Sequence, residues 1–196
     1  CWALTPAVRG LALRIGAMAR PNPRSVHTRP LPYLGGVAIY GSFVAAATYA
    51  LGLENGLVAI VVACGGAILA LGVVDDLRPL PPWVKLIAET LIAVVTVLWG
   101  IRIEWVTNPL GGMFSLGPWA VPVTVAWLVI VPNLVNFIDG LDGLAAGVSS
   151  IVALTLLFAC QLAGQAHIAL VTAALAGCAL GFLPHNFNPA KIFMGD

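Results

Sequence analysis

Six apolar stretches, at about 34–53, 56–74, 83–101, 119–137, 144–164 and 167–183, run almost without charge through a chain of 196 residues. Each is close to the roughly 20 residues that a helix needs to cross about 30 Å of hydrocarbon. In such a medium only segments that satisfy their own backbone hydrogen bonds are viable, which points to helices. The composition agrees: 60% of residues are hydrophobic and 9% charged, where an ordinary soluble domain carries about 25% charge. The expected fold is therefore all-α, a polytopic integral membrane protein with about six transmembrane helices in a single domain spanning 1–196. Residues 1–33 are read as a cytoplasmic basic loop. Arg9, Arg14 and Arg20 leave residues 1–20 without the clean apolar core of a cleavable signal peptide. That stretch is instead expected to be the end of a helix or an interfacial one.

The breaks between the runs assign the sides. If 1–33 lie on one side, alternation places 75–82, 138–143 and 184–196 there too. That side then holds Arg9, Arg14, Arg20, Arg24, Arg29, Arg78, Lys85 and Lys191, while the other holds only Arg102. An excess of Lys and Arg marks the cytoplasmic face. Trp83, Trp99, Trp105, Trp119 and Tyr33 fall near run ends, where interfacial aromatics sit. Within the third run, Lys85 and Glu89 are spaced i,i+4 and read as a pair on one helix face. Residues 102–118 read as a polar loop rich in Gly and Pro. Cys64, Cys160 and Cys178 lie inside apolar runs and read as small hydrophobes. A net charge of +1 gives no basis for a nucleic-acid partner, and none is expected.

Five of the eight acidic residues fall in three clusters: Asp75-Asp76, Asp139-Gly-Leu-Asp142, and the Met-Gly-Asp196 end. A charge at bilayer depth costs roughly 3 kcal/mol or more unless it meets water, a partner or a metal. The side assignment puts all five on the cytoplasmic rim. Asp75 and Asp76, adjacent at a helix end, repel each other unless a cation or proton intervenes; they also oppose the helix dipole. The bland alternative is a solvated helix boundary. Asn133, Asn136 and Asp139 follow one another at i+3 spacing and would share a helical face. Asp142 is a sound N-cap for the run that begins at 144, but capping leaves the two asparagines unexplained. The 184–196 segment leaves the membrane through Pro184, Asn186, Asn188 and Pro189, then offers Lys191 and Asp196. The Pro-rich 21–36 stretch, with His27 and Arg29, is either a positive-inside anchor or a phosphate-contacting loop, since Arg suits phosphate oxygens.

Taken together, PNPRSVHTRPLPYLGG, GVVDDLRPLPPWVK, NLVNFIDGLDGLAAG and NPAKIFMGD, in this order, resemble the polyprenyl-phosphate N-acetylhexosamine-1-phosphate transferase family. The first stretch is more similar to its N-acetylglucosamine branch than to its muramoyl-pentapeptide branch. The resemblance implies transfer of a sugar 1-phosphate from a UDP-N-acetylhexosamine to undecaprenyl phosphate, with release of UMP and a requirement for Mg2+. It implies Asp75 and Asp76 as the catalytic pair, one of them handling the lipid phosphate. Asp196 and Asn136 are implied around the metal. Lys85, Asn133, Asp139, Asp142, Asn186, Lys191, His27 and Arg29 are implied around the substrates. One-step displacement and a covalent intermediate both stay open.

The implied location is the bacterial inner (plasma) membrane, with the lipid bilayer as surroundings and the site on the cytoplasmic face; a homodimer is one expected assembly. Ala19 and Ser25 stand where the family commonly has Asp and Lys. Family members also extend further at both ends, so the chain is expected to be a truncated piece, weakly active or inactive alone. Two rival readings remain: an ion-coupled transporter, which would place carboxylates at the bilayer midplane, and a non-catalytic membrane fragment.

Overall fold

The computed structural model describes residues 1–19 and 30–196; His27 and Arg29 lie outside the described residues. Seven helices account for most of what is described: α1 (Leu4–Ile15), α2 (Gly35–Leu51), α3 (Gly56–Leu77), α4 (Pro82–Leu98), α5 (Ala120–Ile138), α6 (Leu144–Leu162) and α7 (Ala166–Asn186). The fold is the expected all-α membrane architecture. Helices covering Gly56–Leu77, Gly117–Ile138, Leu144–Leu162 and Ala166–Asn186 are long and apolar enough to cross a membrane. The helices α2 and α4, at 17 residues each, are shorter; at 1.5 Å per residue they extend about 25 Å.

Two small β elements modify the expectation. Residues 102–118 are not simply a loop, because β3 (Trp105–Thr107) pairs antiparallel with β4 (Met113–Ser115). Its β-branched and aromatic residues flank the Gly111-Gly112 turn, where both glycines adopt positive φ. Within 1–33, α1 forms in the stretch expected as a helix end or an interfacial helix, and a two-residue ladder of β1 (Met18–Ala19) with β2 (Leu31–Pro32) replaces part of the expected loop.

Local signals explain the helix ends. The Asn55 side chain caps α3 by accepting from the N–H groups of Leu57 and Val58. Pro82 opens α4 at the position where a missing N–H costs nothing. Pro132 is carried inside α5, and Pro184 inside α7. The helix α7 therefore continues to Asn186 rather than ending before Pro184. A proline removes one intrahelical bond without forcing an exit where neighbours hold the helix.

Packing relies on small residues. The helices α6 and α7 pack against each other, and the residues they bury are mostly small: Ala145, Ala146, Ser150 and Ala153 in one, and Ala169, Ala176 and Ala179 among those of the other. Small side chains let membrane helices approach closely. The principal core adds fully buried Phe182 and Ile192 to Ala12, Ala38 and Ala146. Ile192 belongs to the extended 187–196 segment, so this segment is a core element as well as a connection.

Candidate functional site

The 187–196 segment follows α7, and its hydrogen bonds show how it is held. Phe193 N–H donates to Pro32 O at 2.9 Å, Gly35 N–H to Phe193 O at 3.0 Å, and Gly36 N–H to Met194 O at 2.8 Å. These bonds fix it against the start of α2. At the other edge, Asn186 is fully buried and acts as a staple: its Oδ1 accepts from Gly143 N–H at 3.1 Å and its Nδ2 donates to Ile192 O at 3.1 Å. Expected at the substrate, Asn186 instead has its oxygen and an amide N–H committed to backbone.

Asp142 is likewise tied to this segment. Its Oδ2 accepts from Asn188 Nδ2 at 3.1 Å and from Ala190 N–H at 3.0 Å. The N-cap of α6 is Gly143 at φ 72°, with no side-chain cap bond. The capping reading of Asp142 is thereby replaced by a cross-link between the α5–α6 turn and the 187–196 segment.

The segment delivers Asp196 to the last turn of α3. Asp196 N–H donates to Asp76 Oδ1 at 3.2 Å, and Tyr33 Oη donates to the Asp76 carbonyl at 2.6 Å. Lys85, from the first turn of α4, bridges two of the three clusters: its Nζ donates to Asp75 Oδ2 at 2.9 Å and is ion-paired with Asp196 Oδ2. The other oxygen of Asp75 accepts from Leu80 N–H at 2.7 Å, which fixes the α3–α4 turn. The i,i+4 pairing of Lys85 with Glu89 is not present, because Lys85 turns to Asp75 and Asp196 while Glu89 Oε2 accepts from Asn133 Nδ2 at 2.5 Å.

Asp139 at the end of α5 completes the group. The Gly195 N–H faces its carboxylate, and Asp196 and Asp76 are close enough to act on its charge. Burial pushes the Asp139 carboxyl up to about 7; the Gly195 N–H opposes the rise, and the Asp196 and Asp76 charges add to it. Its buried Oδ1 has no hydrogen-bond partner among the described residues. A small cavity of about 130 Å³ lies beside Asp76, Gly195 and Asp196, lined otherwise by Leu34, Gly36, Val37, Leu69, Val73 and Met194.

Asp75, Asp76, Lys85, Asp139 and Asp196 thus form one constellation, drawn from three helix ends and the extended segment. Asn136 sits one turn before Asp139, and its carbonyl accepts the Asp139 N–H at 3.2 Å. Asn133 lies a further turn away, against Glu89. Lys191 is set apart: it is exposed on a cleft of about 440 Å³ lined by Leu183, Pro184, Phe187, Asn188 and Pro189. Its carbonyl accepts from Arg9 Nε at 3.0 Å.

Sequence reasoning missed Tyr33, read only as an interfacial aromatic, and Glu89, assigned to the wrong partner. It also passed over Gly35 and Gly72. A Cβ at Gly72 would come within 2.6 Å of the Asp196 carbonyl oxygen, so the bare helix surface is what admits the segment. Nothing in hydropathy reveals such a contact.

Whether this donor set suits magnesium can be judged from its chemistry. The described residues contain no ready-made group of three His, Cys, Asp or Glu to hold a metal. The oxygens are nevertheless all hard carboxylate or amide donors, one of them buried and unpartnered. Magnesium is commonly held by one or two carboxylates plus substrate phosphates and waters, without an all-protein cage. The residues fit that mode.

Comparison with known proteins bears on the family. The chain is 40% identical over 198 residues to a probable undecaprenyl-phosphate N-acetylglucosaminyl 1-phosphate transferase of Bacillus subtilis (strain 168), covering 98% of this chain and 54% of that protein. It is 39% identical over 209 residues to the decaprenyl-phosphate N-acetylglucosaminephosphotransferase of Mycolicibacterium smegmatis, covering 96% and 51%. A phospho-N-acetylmuramoyl-pentapeptide-transferase of a Synechococcus species (strain RCC307) is 34% identical over 219 residues, covering 100% and 58%. The chain spans about half the length of the curated relatives it matches. The family model described as glycosyl transferase family 4 matches residues 58–196, which include every member of the constellation. By sequence, this chain belongs to glycosyl transferase family 4.

Proposed function

We propose that this chain carries the acidic part of the active site of an enzyme that moves a sugar 1-phosphate from a UDP-N-acetylhexosamine to a polyprenyl phosphate. Overall, an oxygen of the lipid phosphate bonds to the sugar-bearing phosphorus, the bond from that phosphorus to UMP breaks, and UMP leaves with its electron pair. The observation that carries this reading is Lys85 held between Asp75 and Asp196, beside Asp76 and a buried, unpartnered Asp139 oxygen.

Charge decides what such a site accepts. Four carboxylates face one ammonium, so phosphates would be repelled unless cationic charge is added. Asp196, Asn136 and the Asp139 oxygen are the groups proposed to hold Mg2+. When bound, that ion would supply charge neutralisation and polarisation of phosphoryl oxygens. Lys85 is proposed to turn from its carboxylates to the diphosphate when substrate arrives, because an ammonium can exchange one anionic oxygen for another. Asp75 and Asp76 are proposed to orient the lipid phosphate and take its proton. Tyr33 and the Leu80 N–H keep their helix turn in place.

The setting suits the substrates. The constellation lies at the helix ends that share a side with Arg9, Arg14, Arg78 and Lys191, which the charge rule makes cytoplasmic. There a membrane-embedded lipid phosphate and a cytoplasmic UDP-sugar can meet. A midplane cation pathway, as a transporter would need, has no support in carboxylates gathered at one rim. The test is product formation by the complete natural polypeptide, given radiolabelled UDP-N-acetylglucosamine and undecaprenyl phosphate. Label moving into a lipid-soluble sugar phosphate, and returning to the UDP-sugar when UMP is added, is expected. Absence of both overturns the reading.

A further inference from the structure

Glu89 is a carboxylate that the reaction, as described, leaves without a part. It lies one turn after Lys85 on α4, with 8% exposure, and its Oε2 accepts from Asn133 Nδ2 at 2.5 Å. The same Nδ2 donates to the Val129 carbonyl, one turn earlier in α5, at 2.9 Å. A primary amide has two N–H donors and one carbonyl oxygen; here both donors are spent. The reverse orientation would set the amide oxygen against a carbonyl and a carboxylate, which themselves accept. Chemistry therefore fixes the amide. Asn133, exposed at the α5 surface, has only Oδ1 left to offer.

We propose that Glu89 is a positioning residue that makes Asn133 an acceptor-only group of the active site. Resting on the transferase reading, this narrows what Asn133 can recognise. Its oxygen suits a donor, such as a sugar hydroxyl, an acetamido N–H or a hydrated cation, and it cannot bind phosphate oxygens. The arrangement needs an acceptor at position 89 rather than a charge. It also places this contact one turn deeper than Lys85, so the donor-bearing part of the ligand lies on the α4–α5 side of the phosphate contacts.

Variants of the complete natural polypeptide, assayed for UMP release with UDP-N-acetylglucosamine and undecaprenyl phosphate, test it. Glu89→Gln supplies an acceptor without charge and is expected to keep kcat/KM within about threefold of wild type. Glu89→Leu keeps the volume but frees the Asn133 amide to rotate, and is expected to lower kcat/KM about tenfold or more. Asn133→Asp sets carboxylate against carboxylate and is expected to lose about tenfold; adding Glu89→Gln, whose amide donates to the new carboxylate, should recover at least about threefold of it. The last pair decides the matter if Glu89→Leu fails to fold. Loss of activity in Glu89→Gln would reveal a requirement for charge and overturn the proposal. So would a fully active Glu89→Leu, which would mean packing alone, or an absence of rescue in the double variant. A wild-type protein that releases no UMP overturns the transferase reading and this role together, whereas an active enzyme indifferent to Glu89→Leu overturns only the role.

Discussion

At the scale of single residues, this site depends on carboxylates held where they are costly to ionise. Asp139 is the clearest case, with its carboxyl raised from the usual 3.8 to about 7. The folded protein keeps that proton between about pH 4 and 7, while the unfolded chain releases it. The resulting stability is fully present below the unfolded value and is lost as pH rises through about 7, a difference of roughly a few kcal/mol. In metal-free detergent solution, melting temperature is therefore expected to fall from acid to neutral pH, and Asp139→Asn to flatten that slope. An unchanged slope in the variant would assign the pH dependence elsewhere. Asn186 makes a different prediction because it has no charge. Asn186→Leu would leave the Gly143 N–H and Ile192 carbonyl buried without partners, at about 1–3 kcal/mol each. A clear drop in melting temperature is expected; retention of wild-type stability would show that the staple is dispensable.

At the scale of elements, the helices were legible and their ends were not. Long runs of Val, Leu, Ile and Ala announce spanning helices because hydrocarbon excludes other backbone structures. The i+3 series of Asn133, Asn136 and Asp139 was readable for the same reason of periodicity. What failed was detail set by tertiary partners. Lys85 left its helical neighbour Glu89 for carboxylates on α3 and at Asp196, and Asp142 reached across to Asn188 and Ala190 instead of capping α6. Local spacing gives the reach of a side chain, while a competing partner from elsewhere decides its bond. The hairpin of β3 and β4 went unread since three-residue strands carry too little pattern. Glycine contacts show the same limit. A Cβ at Gly35 would meet the Phe182 ring and the Phe193 carbonyl at 2.5–2.6 Å, whereas Gly177 in α7 has nothing within 4 Å. Gly35→Ala is expected to destabilise by about 1–3 kcal/mol through overpacking. Gly177→Ala should raise stability by up to about 1 kcal/mol through helix propensity. Thermal unfolding of the two in the same detergent compares them directly, and equal shifts would contradict the close packing of the 193–196 segment on α2.

At the scale of the whole molecule, the helices leave their aspartates at one end and use one extended segment to bring four of these carboxylates together with Lys85. Hydropathy and charge bias together located that end, because counting spans moves every aspartate cluster to the same rim. They could not show that the 187–196 segment is held by residues of α1, α2, α3, α4 and α7 and by Asp142 of the α5–α6 turn, since hydrogen bonds to backbone leave no compositional trace. The central claim is that Asp75, Asp76, Lys85 and Asp196 act as one phosphoryl-transfer site. Its most direct test is Mg2+-dependent UMP release by the complete natural polypeptide, compared with Asp76→Asn, Lys85→Ala and Asp196→Asn. The account predicts that each substitution reduces turnover about a hundredfold or more, as expected when charge stabilisation of the transition state is lost, with the proteins still folded and no release in chelator. Undiminished UMP release by any of the three, or release indifferent to Mg2+, would contradict it.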